Sequence, residues 1–464
     1  MALKDLLKAP LDKTEPDAQT FMERIQGNIL KGHDRYHTAQ LFVRFGADIG
    51  AARAWIAGSM SRRLVSAKQQ MGQSEAWRKT GGSGEPFFVF FLSHQGYLTL
   101  SIDAASIPAD PYFRAGMKST PTGVPVTITD PPVSEWEENY RGRLDAMLLV
   151  ADDDRGRLDQ IVADLTKELA GISEHLFVER GDQQIFDFGG GRDKVEIEHF
   201  GHQDGISQPR VIRQDANTEL CERGGIYWNP AAPLSLACVE EPGRPDQFGS
   251  YLVYRKLEQN VKAFRAARDG LATALGVGIE DAAALAVGRY RDGRPVLPTK
   301  VVKPGASPND FSFKSDPNAA MCPYHAHIRK TNPRGDLAAF ITGQTDDGER
   351  ALRILRRGIT FGARPDLAPG STLPPPETGV GLLFMCYQAR LIQFVIQQDG
   401  ADSNDFVKTG VGPDATLGVN AGAVAQQWPV NGVPNAKPFL MANFIRMRGG
   451  EYFFAPSPSF LKSL

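Results

Sequence analysis

Cysteine is scarce in this chain: four residues in 464, Cys221, Cys238, Cys322 and Cys386, none at the close spacing of a metal knuckle or a disulfide framework. That excludes a disulfide-stapled fold and fits free thiols. An excess of one charge is also missing, since 52 Lys and Arg against 54 Asp and Glu leave a net charge of −2. Nucleic-acid binders carry a basic stripe, and none is present, so nucleic acid is not an expected partner. Long hydrophobic runs are absent too. The most apolar stretch, Val380 to Tyr387, falls far short of the roughly 20 residues a spanning helix needs and reads as a buried strand, so no membrane association is expected. The opening Met1-Ala2-Leu3-Lys4-Asp5 is broken by charge, which suits a cytoplasmic protein or one released without a recognisable signal peptide.

What is present is a core-forming composition, 42% hydrophobic and 23% charged, spread over alternating strand and helix patterns. Apolar runs predict strands over Ala39 to Phe45, Phe87 to Leu92 and Ala146 to Ala151, with a helix after Asp48-Ile49-Gly50. Leu158, Ile161, Val162, Leu165 and Leu169 recur at helical spacing across Asp154 to Ala170, and Gly171 stops that helix. The mixture is α+β. The Pro- and Gly-rich stretch 208–318 reads as a long irregular insertion holding one helix near Leu257 to Gly270. We therefore expect two domains, 1–207 and 208–464, the second carrying that insertion.

Three segments hold groups able to do chemistry. In Glu198-His199-Phe200-Gly201-His202-Gln203-Asp204-Gly205, glycines bracket one carboxylate after a strand, presenting Asp204 where it either caps a turn or moves protons. Cys322, His325 and His327 lie within six positions of one another in a chain with only eight histidines, which points to a metal site or to structural imidazoles. Structural zinc would need two more ligands, whereas haem brings four nitrogens of its own and needs one imidazole. The run Arg353-Ile354-Leu355-Arg356-Arg357-Gly358 is either a solvated face or supplies one inward guanidinium. On the strand 380–387, alternation puts Leu382 and Phe384 on one face and Leu383 and Met385 on the other.

Taken in order, Gly201-His202-Gln203-Asp204-Gly205, Ala326-His327-Ile328-Arg329 and Ile354-Leu355-Arg356-Arg357-Gly358 resemble the three signature segments of the dye-decolourising peroxidases, a family of haem peroxidases. Ile25-Gln26-Gly27-Asn28, Gly381-Leu382-Leu383-Phe384 and Gly449-Gly450-Glu451-Tyr452 extend the resemblance nearly end to end, closest to the longer members. It implies two ferredoxin-like halves with antiparallel sheets flanked by helices, related to the dimeric α+β barrel superfamily. It implies one haem b per chain, hydrogen peroxide as oxidant, and aromatic or dye-like electron donors. By the same resemblance His327 is the axial iron ligand, Asp204 the acid-base group and Arg356 its cationic partner. Leu382 and Phe384 would wall the distal face, Gly205 would let the ligand approach, and Arg329 and Arg334 would meet the haem propionates. Trp428, Tyr387 and Tyr324 are candidates for a surface electron relay. His202 stands where the family usually has an aromatic residue, as a packing substitution or a second titratable group. A haem-handling protein without turnover is the alternative function, and no oligomeric state follows from the sequence.

Overall fold

The computed structural model describes residues 3–80, 84–189, 194–367 and 371–464. Eight strands make one antiparallel sheet: β1 His37–Phe45, β2 Phe87–Ser93, β3 Ala146–Asp152, β4 Ser173–Asp182, β5 Phe248–Gln259, β6 Ile359–Phe361, β7 Gly381–Gln388 and β8 Ile445–Ala455. Their spatial order is β6-β7-β5-β8-β2-β3-β1-β4, with the two-residue strands Val239–Glu240 and Leu355–Arg356 added against β5 and β7. Each half repeats one plan. In β2-β3-β1-β4 and in β6-β7-β5-β8, the first and third strands of the half lie in the middle, which is the ferredoxin-like order. The halves join where β8 pairs with β2 through Phe453 opposite Ser93 and Phe454 opposite Leu92.

The far ends of the sheet curl back toward each other. Thr360 on β6 donates its hydroxyl to the Asp182 carbonyl on β4, and a Cβ on Gly181 would sit 2.4 Å from Ile359 Cγ2. The result is barrel-like, and it explains why β2 (FFVFFLS) and β3 (AMLLVAD) are buried along their whole length: both faces are covered. Inside, Phe42 packs against Phe177 and Tyr254 with ring centroids 4.8 Å away and against Tyr140 at 5.6 Å. Outside, helix α1 Arg155–Leu169 buries Leu158, Val162, Leu165 and Leu169, and Asp154 caps it by accepting the Arg157 N–H at 3.1 Å. The strands and this helix match the sequence expectation.

The stretch 208–318 does not. It contains β5, a central strand of the second half, followed by helices α2 Val261–Leu275 and α3 Ile279–Val287, which bend by 109°. Its start, Phe248-Gly249-Ser250-Tyr251, mixes small polar residues into the strand and hides the pattern. Leu257 belongs to the strand and not to the expected helix. The apolar faces of α2 and α3 close a second core with Phe200, Trp428, Met441 and Phe444. No single helix among the described residues is long and apolar enough to cross a membrane.

Phe42→Ala removes the ring on which four aromatic neighbours converge, at 0% exposure. It is expected to cost about 3–5 kcal/mol, read as a lower midpoint in chemical unfolding.

Candidate active site

The carboxylate of Asp204 is presented by a turn that its neighbours lock. Glu198 accepts the N–H groups of Phe200 at 2.7 Å and His202 at 2.9 Å, and takes Gln259 Nε2 at 2.8 Å. Phe200 stacks on Phe264 of α2 with centroids 4.2 Å apart, pinning the turn to the second core. Gly201 and Gly205 adopt φ of +102° and +76°, which a side chain would strain. Asp204 then meets Arg356, whose Nη1 donates to Asp204 Oδ1 at 2.7 Å while its Nη2 donates to the Ile206 carbonyl at 3.0 Å. Arg356 is delivered by its two-residue strand, paired with Cys386 of β7, and its N–H donates to Gln208 Oε1 at 3.1 Å. Burial pushes the Asp204 carboxyl up, but the Arg356 charge and the Gly205 N–H at 2.6 Å outweigh it and leave it below the ordinary value.

His327 opens the short helix α4 His327–Thr331. Its Nδ1 donates to Asp414 Oδ2 at 2.8 Å; the Asp414 carboxylate is wholly buried, while the imidazole is 29% exposed. The other oxygen of Asp414 accepts the N–H groups of Thr416 at 2.8 Å and Leu417 at 2.9 Å. Burial disfavours charge on His327, Asp414 more than offsets this, and the imidazole is the more basic for it. Between His327 and the Asp204–Arg356 pair lies a cavity enclosing about 1650 Å³ of empty space, part of it open to solvent. Its wall is mainly apolar, from residues such as Leu257, Leu382, Phe384 and Leu417, with a few polar groups aimed inward, the usual make-up of a ligand site.

Several sequence expectations meet here and others do not. Asp204, Arg356, His327, Arg334, Leu382 and Phe384 all line the cavity. Arg329 does not. Two residues beyond His327 on α4, it turns to the opposite face, where its fully buried guanidinium binds Asp336 at 2.7 Å, Asp316 at 3.2 Å and the Cys322 carbonyl. Gly205 serves backbone geometry and borders a different cavity. The three clustered arginines separate: Arg357 donates to the Asn28 and Ile29 carbonyls, and Arg353 lines the cavity while donating to the Arg350 and Ala231 carbonyls. His325 packs edge-on against Trp428 at 4.3 Å and does not line the cavity. Burial lifts the Cys322 thiol to about 12, and among the described residues no group of three His, Cys, Asp or Glu side chains is placed to hold a metal ion. Trp428, Tyr387 and Tyr324 are all buried, so none is a surface relay. His202 does line the cavity, but burial holds its imidazole down to about 3 and therefore neutral.

Sequence reasoning missed Asp414, which lies 87 residues from His327 in a Gly-Pro-Asp loop with no signature. It also left Arg353 without a place. Arg353 and Arg334 both line the cavity and both stack on Trp228, at 5.3 and 4.2 Å, and Arg353 Nη1 is buried with no hydrogen-bond partner among the described residues. A flat apolar group with anionic arms and an open coordination position fits these features: apolar walls for its faces, Arg353 and Arg334 for the arms, His327 for the metal.

No protein-family model matches the chain. It is 38% identical over 471 residues to the multifunctional dye peroxidase DyP2 of Amycolatopsis sp., covering 97% of each sequence. Among solved structures it superposes on the DyP-type peroxidase of Anabaena sp. with a TM-score of 0.87 at 37% identity, covering 99% of each chain. It superposes on DyP2 of Amycolatopsis with a TM-score of 0.85 at 34% identity, covering 99% of this chain and 100% of the other.

Removing the cation should unmask the burial of Asp204. In the wild type its depressed carboxyl adds stability above the unfolded value near 4, and this is lost as pH falls through the folded value. In Arg356→Leu the folded value should rise above the unfolded one, so the variant loses stability as pH increases through that interval. Carboxyl NMR titration together with unfolding at pH 3 to 7 reads both effects. In fold and along the whole length of the sequence, the chain belongs to the dye-decolorizing peroxidase family, and it is a peroxidase.

Proposed function

We propose that this peroxidase holds one haem b per chain in the His327 cavity and uses hydrogen peroxide to oxidise aromatic or dye-like donors. The observation that carries the reading is the opposition, across one apolar cavity, of an imidazole backed by a buried carboxylate and a carboxylate paired with a guanidinium. When bound, the haem supplies the redox-active iron at which the peroxide O–O bond is cleaved. His327 would be the residue that holds its iron. Asp414 orients the ring through Nδ1 and enriches it electronically, as carboxylate partners of ligating histidines do.

The proton work belongs to Asp204. Its Oδ1 is engaged by Arg356 and by the Gly205 N–H, which leaves Oδ2 to take a proton from one peroxide oxygen and return it to the other. Arg356 keeps the carboxylate ionised and stabilises charge that develops during cleavage. Leu382 and Phe384 would limit water, and Arg353 and Arg334 would meet the anionic arms of the haem. A haem-handling protein would need His327 but neither Asp204 nor Arg356.

The test is an absorption spectrum of haem-supplemented protein with one equivalent of peroxide at mildly acidic pH. A Soret band that shifts and returns on adding a phenol or an anthraquinone dye is expected, while a band inert to peroxide would favour haem handling. His327→Ala should lose bound haem and His325→Ala keep it. Asp204→Asn and Arg356→Leu should keep haem and lose roughly 10²–10⁴-fold in turnover. Asp414→Ala should weaken haem retention roughly 10–100-fold, measured by transfer to a competing apoprotein.

A further inference from the structure

A second cavity lies behind the Asp204–Arg356 pair. It encloses about 1100 Å³ of empty space, part of it open to solvent, and shares Asp204, Pro209, Arg356 and Gly358 with the His327 cavity. The ion pair is thus a partition between two spaces. The first is largely apolar; the second is lined by Glu196 and Asp34 together with Lys31, Arg210 and Arg357.

Backbone geometry puts Glu196 against Asp204. Ile197 and Gln203 form an antiparallel bridge, and the Asp204 N–H donates to the Glu196 carbonyl at 3.1 Å, so the two acids face each other across the turn. Residues opposed in this way point to one face with Cβ atoms roughly 4.5–5.5 Å apart, where two ionised carboxylates repel. Only one of them has a cation. Asp204 holds Arg356, whereas Glu196 has no ion pair or side-chain hydrogen bond among the described residues. Burial, and then the charges of Asp204 and Asp34, push Glu196 up to about 8. Asp34 is itself raised by burial, against the pull of Lys31, Arg357, Arg210 and Arg35. His33 is held neutral at about 3, and Asp215 stands at the edge of the same cavity. Two neighbouring carboxyls driven apart in this way take different roles, one ionised base and one neutral acid.

Peroxide reduction needs such a donor. Each turnover converts H2O2, two electrons and two protons into two waters. The aromatic donors supply the electrons, while the protons must reach the face that Asp204 guards. Asp204 is ionised through mild acid and stores no proton. We propose that Glu196 is the positioning acid that reloads Asp204 with protons through the polar cavity during peroxide turnover. In each transfer the Glu196 O–H bond breaks, an O–H bond forms at Asp204 Oδ2 through intervening water, and Asp204 passes its proton to the oxygen being reduced. Glu196 then regains a proton from solvent. The inference rests on the reading of Asp204 as the acid-base group.

The test uses haem-loaded enzyme and two readouts. In resting wild type, infrared difference spectra should show a protonated-carboxyl stretch that titrates near pH 8 and is missing from Glu196→Gln. Peroxide turnover of Glu196→Gln at pH 6 should fall roughly tenfold and lose its alkaline limb near pH 8, with the Soret band unchanged, and small weak acids should restore the rate. Glu196→Asp, which keeps the acid, should retain a displaced limb, and it carries the test if the glutamine variant does not fold. Absence of the carboxyl band from the wild type, or wild-type rate and pH dependence in Glu196→Gln, overturns the inference while an inactive Asp204→Asn leaves the Asp204 reading standing. Full turnover in Asp204→Asn overturns both.

Discussion

A carboxylate and a guanidinium 152 positions apart in the chain meet at 2.7 Å between two cavities, and the rest of the site is arranged around that contact. Neither partner could be held there alone. Burial raises the cost of an ionised Asp204, and a lone guanidinium in the same place would be no better solvated. The fold meets this constraint from both ends. Glu198 and the Phe200–Phe264 stack fix the turn that carries Asp204, and pairing with β7 fixes Arg356.

The opposite wall uses the same physics with roles exchanged. His327 is the partly exposed member and Asp414 the buried one, held by three hydrogen bonds from its own loop besides the imidazole. The His327 wall therefore presents one group to the cavity and keeps its counter-charge fixed behind it, whereas Asp204 and Arg356 both line the cavity. The lining between them is mainly apolar, which lowers the local dielectric around these charges. The cationic end formed by Arg334 and Arg353 is different. Those guanidinium groups lie on Trp228, with Arg334 donating to Asn309 and Ser207 and Arg353 to the Ala231 carbonyl.

Much of the fold was legible where local pattern and burial agree. The runs Phe87 to Leu92 and Ala146 to Ala151 are apolar throughout because both faces of a curled sheet are covered, and α1 shows its apolar stripe because only one face is. Leu382 and Phe384 came out on the cavity face, since alternation along a strand is dictated by the pleat. β5 was hidden. Its order comes from lying between β7 and β8, which compensates for Gly249 and Ser250 in its own sequence. Arg329 misled for a related reason. Its motif position is adjacent to His327, but helical rotation turned it toward Asp316 and Asp336, which no local pattern could announce.

The sequence by itself determined the α+β class and the order of the three signature segments, and the family resemblance singled out Asp204, His327 and Arg356 as candidates, because these depend on local periodicity and on motifs contiguous in the chain. Only the tertiary structure decided that Arg356, and neither Arg353 nor Arg357, pairs with Asp204, that Asp414 stands behind His327, and that Glu196 faces Asp204 across the turn. These are contacts between separate segments whose charges acquire partners only once the sheet has curled and water has been excluded, and a sequence records the groups without recording which of them will be left facing each other.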